Sequence, residues 1–164
     1  MPARLAATLP GAAARYTLRV SSSRAVPHAA LSTQVSATWS FRSARTTARS
    51  ALPLMTARYQ IPGLNGQNQA AAGTTMRVPV WVTREPGATA ARVTGLTVQV
   101  SFDDGRNWHR IPLTRVAGHW LATIHNPAES GYASLRATAA DSAHDTVTQT
   151  IIRAYAVVAA LPHS

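Results

Sequence analysis

Cysteine is absent from this chain of 164 residues, and lysine is absent too. The lack of thiols excludes a disulfide framework, a cysteine-based zinc site and a thiol nucleophile, and it leaves the compartment open. Charge is scarce at 13% of residues, and carboxylates are scarcer still. All six lie between Glu85 and Asp145, so residues 1–84 carry ten arginines and no acid, while residues 85–164 carry six of each. The whole net charge of +10 therefore arises in the first half. Aromatic residues make up only 6%. No apolar run approaches the ~20 residues that a membrane-spanning helix needs, so no membrane span is expected.

Each absence narrows the function. Arginines that are dispersed and unaccompanied by an aromatic-rich platform argue against nucleic acid as partner. Two readings of the basic excess stay open. One is an anionic partner such as a wall polymer or a membrane surface. The other is a coding bias that favours arginine and alanine, in a segment separated from its natural neighbour. A hydrophobic content of 46% is enough for a core and excludes global disorder. The length fits one domain plus an extra segment, or two very small domains. The N-terminus, with Arg4 and Leu5–Ala14, loosely imitates a signal peptide. Its apolar region is short and broken by Pro10-Gly11, so a loop leading into a strand at Tyr16–Val20 is expected instead.

From there the pattern is strands and turns. Strands are expected at Gln34–Arg42, Leu52–Gln60, Thr75–Thr83 and Thr94–Phe102, then at Asn107–Arg115, His119–His125, Tyr132–Ala140 and Thr146–Tyr155. Breakers separate them, among them Pro62-Gly63, Asn65-Gly66, Pro86-Gly87, Asp104-Gly105 and Asn126-Pro127. Short strands every ten residues or so, with no helical periodicity between them, indicate an all-β, immunoglobulin- or fibronectin-III-like antiparallel sandwich. The strands from residue 51 to 157 suffice for seven. Residues 1–50 then form a partial β segment, a remnant of a preceding β domain or a lead-in, and residues 158–164 a tail. Alternation assigns Val78, Val80 and Val82, Leu96, Val98 and Val100, and Ala133, Leu135, Ala137 and Ala139 to core faces, along with Trp120, Ala122 and Ile124.

The densest local signal is Ser101-Phe102-Asp103-Asp104-Gly105-Arg106-Asn107-Trp108, an S-x-D-x-G-x-x-W hairpin tip. Asp tolerates the backbone angles of a tight turn and Gly takes positive φ freely. Asp103 is placed to accept turn amides and Trp108 to cap the hairpin, which makes Ser101, Asp103, Asp104, Gly105 and Trp108 a structural set. The same spacing matches the Asp-box of sialidase-type propellers. Such blades repeat every ~40–50 residues, whereas this chain has one copy, and no arginine triad with Tyr and Glu can be assembled.

No other constellation carries chemistry. His28, His109, His119, His125, His144 and His163 are scattered, and without cysteine or a dense carboxylate set no metal site is expected. Asp103 with Asp104, or Asp141 with Asp145, offers two carboxylates where calcium takes six to eight oxygens, so turn stabilisation is expected there. No G-x-S-x-G nucleophile elbow occurs. Trp81 lies opposite the Val78-Val80-Val82 face and is the one tryptophan that suggests surface binding. No catalytic, cofactor-binding or metal residue is assigned, and no cofactor is expected.

Five segments together carry a resemblance: LPLMTARYQIPGLNGQN, QVSFDDGRNWHRIPL, GHWLATIHNP, SGYASLRATAAD and TVTQTIIRAYAV. Across residues 35–157 or so they resemble the C-terminal region of large secreted subtilisin-like serine proteases of the actinobacterial type. That family runs "YDDG-TW", "GFVSLRA-A-D" and a closing "T-IRAY" in this order. Its D-x-x-G-N turn is here Asp141-Ser-Ala-His144-Asp145, with His where positive φ favours Gly. The family's catalytic Asp, H-G-T-x-V-A and G-T-S-M-A motifs are not in this chain. The resemblance thus implies a non-catalytic accessory sandwich, extracellular when joined to its parent. Its implied partner is a protease catalytic domain or a neighbouring β domain, or else a protein or cell-wall polymer. A free-standing carbohydrate- or wall-binding module is the alternative.

Overall fold

Period-two alternation of valine and alanine with polar residues gives each strand one apolar face, and burying those faces against one another builds the molecule. The structure, a computed structural model, describes residues 7–25 and 30–159. His28, His163, Arg4 and most of the expected tail lie outside the described residues. The strands are β1 (Ala14–Ser23), β2 (Gln34–Ser43), β3 (Met55–Tyr59), β4 (Gln69–Ala71), β5 (Thr75–Arg84) and β6 (Val93–Ser101). They continue as β7 (His109–Arg110), β8 (Leu113–Val116), β9 (His119–His125), β10 (Gly131–Asp141) and β11 (Thr146–Val158). No helix occurs among the described residues.

Two sheets form the expected all-β, mainly antiparallel sandwich. The larger has the order β1-β2-β11-β10-β6-β7, with β4 added in parallel to the last residues of β11. The smaller has the order β3-β5-β9-β8. Val78, Val80, Ala122 and Ile124 of the smaller sheet share one core with Val98, Val100, Leu135 and Ala137 of the larger. Full burial of side chains such as Leu135 and Ile124 contributes about 1.5–3 kcal/mol each. Tyr155 is buried in this core, and its hydroxyl donates to Asn126 Oδ1 at 2.9 Å. Asn126 Nδ2 donates in turn to the Ala71 carbonyl and Thr74 Oγ1.

The Asn107–Arg115 segment behaves differently from the single strand expected. It divides at Ile111-Pro112: β7 pairs with β6 in the larger sheet, and β8 pairs with β9 in the smaller. Proline has no N–H for a ladder and limits the chain to sheet edges and corners. Pro112 accordingly sits where the chain crosses between sheets. The short parallel strand β4 lies in the Asn/Gln/Gly-rich stretch that reads as a turn.

The first fifty residues supply β1 and β2, and β2 is bonded along Gln34–Ser40 to β11. Trp39 packs against Met55, Ala139 and Val147, and its Nε1 donates to the Met55 carbonyl at 2.7 Å. The Arg42 N–H donates to Asp145 Oδ1 at 3.0 Å. β2 is therefore hydrogen-bonded to residues on the far side of the boundary expected at residue 50. Three loops share one device, an Asx side chain accepting amides up to four residues ahead. Asn65 accepts Gln67 and Gln69, Asp103 accepts Asn107, and Asp141 accepts Ala143 and Asp145. In the last of these loops His144 stands at φ 61°, in the left-handed region that favours glycine.

Trp39→Ala removes ring packing and a hydrogen bond that ties β2 to the start of β3. We expect it to lower global stability by about 3 kcal/mol, with urea unfolding followed by circular dichroism still showing one transition. An unchanged main transition would mean that residues 1–50 fold apart from the rest.

Candidate functional site

β6 ends at Ser101, and the chain turns over Asp103-Asp104-Gly105-Arg106 before β7 begins. Asp104 at φ 59° and Gly105 at φ 84° show the two consecutive positive φ values of a type I′ turn. Ser101 Oγ donates to Asp103 Oδ1 at 2.6 Å and accepts the Gly105 N–H at 2.9 Å. Asn107 completes the ring. Its backbone N–H donates to Asp103 Oδ1 at 2.8 Å, and its Nδ2 donates to Oδ2 at 2.6 Å. These donors, the Ser101 hydroxyl foremost and the Asn107 amides next, hold the Asp103 carboxyl well below the usual carboxylate range.

The tip then docks on the outer surface of β10 and β11. Arg153 grips Asp104 with two parallel bonds, Nε to Oδ1 and Nη2 to Oδ2, each 2.8 Å. The same guanidinium lies 4.4 Å above the Tyr132 ring. Arg136 lies 4.1 Å over the Trp108 ring. Gly105 fits closely beneath, since a Cβ there would stand 2.9 Å from Ile152 Cδ1 and 3.2 Å from Trp108 Cζ2. Ser101, Asp103, Asp104, Gly105 and Trp108 thus belong to one clasp.

The strand beneath is shaped to receive it. Ala133 faces Tyr155 and Leu135 faces Ile151, so Ser134 alone opposes three residues of β11. Arg153 is the centre of this bulge, at φ 58°, with its N–H bonded to Ser134 Oγ and its carbonyl accepting the Ser32 N–H. Bulges re-aim side chains, and this one directs Arg153 to Asp104. Sequence reasoning misses Arg153 and Arg136. A bulge in mid-strand leaves no spacing signal, and each arginine reads as an ordinary outward-facing residue.

The remaining candidates are dispersed. Trp81 is half-buried on the outer surface of β5, in the other sheet, and stacks on His119 with centroids 5.1 Å apart. Arg58 is its partner on β3, and the exposed Val116 pairs with His119. Trp120 shares a face with Val80 but is only half-buried beneath the Arg115 guanidinium, at the rim of the core and not within it as expected, because its other neighbour, β8, is an edge strand. His109 belongs to β7 of the larger sheet, whereas His119 and His125 stand at opposite ends of β9. His125 Nδ1 meets Thr75 Oγ1 at 2.8 Å on an exposed edge, beside an open recess of about 390 Å³ bordered by Pro62, Ala70, Met76 and Arg77. Among the described residues no three His, Cys, Asp or Glu side chains come together as metal ligands. Both oxygens of Asp141 face donors, the Ala143 and Asp145 amides on one and Arg84 Nη2 at 2.7 Å on the other. Oxygens enclosed by N–H groups are arranged for hydrogen bonds, and cation coordination would need those donors removed.

Two outcomes follow for the clasp. Trp108→Ala should cost about 3 kcal/mol, and Gly105→Ala roughly 1–2 kcal/mol from the left-handed backbone alone, each read as a lower melting temperature. The second concerns acid. A depressed folded-state pKa at Asp103 contributes stability that is complete above the unfolded value of about 4 and is lost as pH falls toward the folded value. Asp103→Asn should therefore flatten the decline in melting temperature below pH 4. An Asp103→Asn variant with the same acid profile as the parent would show that the carboxylate does not stabilise the turn.

No known protein-family model matches the chain, and no curated protein matches it.

Proposed function

We propose that this chain is a non-catalytic accessory module, similar to the C-terminal region of a secreted subtilisin-like serine protease. Its role in this reading is to support or position a catalytic domain or that domain's polymeric substrate. The observation that carries it is the state of the S-x-D-x-G-x-x-W hairpin. Its hydroxyl, its two carboxylates and its tryptophan are all engaged in closing the turn and docking it on β10 and β11. The residues with the most chemistry in the chain serve architecture. Each segment of the resemblance also coincides with a structural unit: β3 with the loop after it, the β6–β7 hairpin, β9, β10 and β11.

A second reading, a free-standing carbohydrate- or wall-binding module, draws support from Trp81. A half-buried indole stacked on His119, beside exposed Val116, is the kind of flat apolar surface on which a sugar ring sits.

Fusion tests the first reading. Placed behind a subtilisin-like catalytic domain, the chain should lengthen that domain's half-life at elevated temperature or change its activity on polymeric substrates, and Trp108→Ala should weaken the effect. A fusion identical to the bare catalytic domain in both respects would reject the accessory role. Binding of the isolated chain to insoluble neutral polysaccharide, abolished by Trp81→Ala, would establish the second reading in its place.

A further inference from the structure

Beside the docked tip, the outer surface of the larger sheet carries a regular array of which the clasp uses only Arg136. Register places Arg19, Thr38, Thr148, Thr138 and Thr97 side by side on β1, β2, β11, β10 and β6. The row beside it runs Ser21, Ser36, Thr150, Arg136, Gln99 and Arg110. At the far end Arg15 stands opposite Arg42. Adjacent strands lie ~4.8 Å apart, so the hydroxyls form closely spaced rows. Several are already oriented: the Thr138 and Thr148 hydroxyls are 3.1 Å apart, Arg136 Nε donates to Thr150 Oγ1 at 3.2 Å, and Arg15 Nη1 to Ser40 Oγ at 3.1 Å. No Asp or Glu occupies any position in these rows, and with Arg136 stacked on Trp108 the exposed arginines of the two rows are Arg19 and Arg110.

We infer that this face binds an extended acidic polysaccharide, with arginines taking its carboxylates and the Ser, Thr and Gln side chains its hydroxyls. The inference is independent of the accessory role proposed above and of the Trp81 surface on the opposite sheet. Charge complementarity selects the partner. Arginine matches carboxylate in a fixed fork, and hydroxyls that both donate and accept suit a hydroxyl-rich chain. Single-stranded nucleic acid would call for free aromatic rings to stack its bases. Here Trp108 is covered by Arg136, and Tyr132 by Arg153. A protein partner or a membrane would call for apolar side chains at the centre of the face, where the rows hold only polar ones.

The full chain is tested by affinity electrophoresis in gels containing polygalacturonate. Retardation is expected, declining with added salt and lost in gels of the fully methyl-esterified polymer, which keeps the sugars and removes the charge. Arg19→Glu combined with Arg110→Glu, both exposed positions, should weaken retention about tenfold or more, because charge-assisted contacts become repulsions. Thr38→Val combined with Thr148→Val keeps the β-branched shape and should also weaken it, whereas Trp81→Ala should have no effect. Near-ultraviolet circular dichroism verifies that each variant is folded. No retardation of the parent chain, equal retardation by the esterified polymer, or loss in the arginine variant with none in the threonine variant would overturn the inference. So would tighter binding of duplex DNA or of phosphatidylglycerol vesicles at the same salt.

Discussion

The thirteen-residue strand β11 is hydrogen-bonded along both edges, and the rest of the molecule is arranged around it. On one edge it meets β10 from Gly131 to Ala140; on the other it meets β2 and then β4. Its inward residues Val147, Tyr155 and Val157 are fully buried, and outward Arg153 holds the hairpin tip. A strand paired on both sides satisfies its backbone groups internally, so the N-terminal strands, the loop at Asn65 and the clasp share one support. The bulge at Arg153 lets it perform the last of these tasks. It interrupts the ladder where Ser134 Oγ replaces a backbone partner, and turns the arginine toward Asp104.

Side chains whose oxygens accept several donors do in the loops what the ladder does in the sheets. Asn65, Asp103 and Asp141 each gather N–H groups that a turn would otherwise leave to solvent. This accounts for most of the few carboxylates of a basic chain: Asp103 and Asp141 cap turns, Asp104 and Asp141 pair with arginine side chains, and Asp145 accepts the backbone N–H of Arg42. Asp141 is buried with Arg84, whose Nη2 also reaches the Ala91 carbonyl. Removing either partner of such a pair would leave an uncompensated charge. Arginine recurs as the counterpart because its planar group can bond at its edge and stack on a ring at its face, as Arg153 does with Asp104 and Tyr132.

The two sheets present different outer surfaces. The smaller sheet shows Trp81, His119 and Val116, with Arg58 alongside, and the larger shows rows of threonine and arginine. No helix covers either surface among the described residues, so the core separates an aromatic cluster on one side from polar and basic rows on the other.

Alternation and turn chemistry determine much of this protein from the sequence alone. The inward faces of β5, β6, β9 and β10 are legible because period two leaves no choice of which side is apolar, and the Asp104-Gly105 turn because few residues accept positive φ. The role of Asp103 as an acceptor of turn amides follows from the same local geometry. What lies beyond short range does not. Where β2 pairs depends on β11 offering a free edge more than a hundred residues later. The split at Pro112 shows only when both sheets exist to receive its halves. The short strand β4 forms because β11 extends past β2, although Gln69–Ala71 has no strand pattern of its own. Arg153 and Arg136 become clasp residues only when the hairpin is folded over them, and the rows of threonine exist only in register. Those features depend on pairings between distant segments, and local sequence carries no record of its partner.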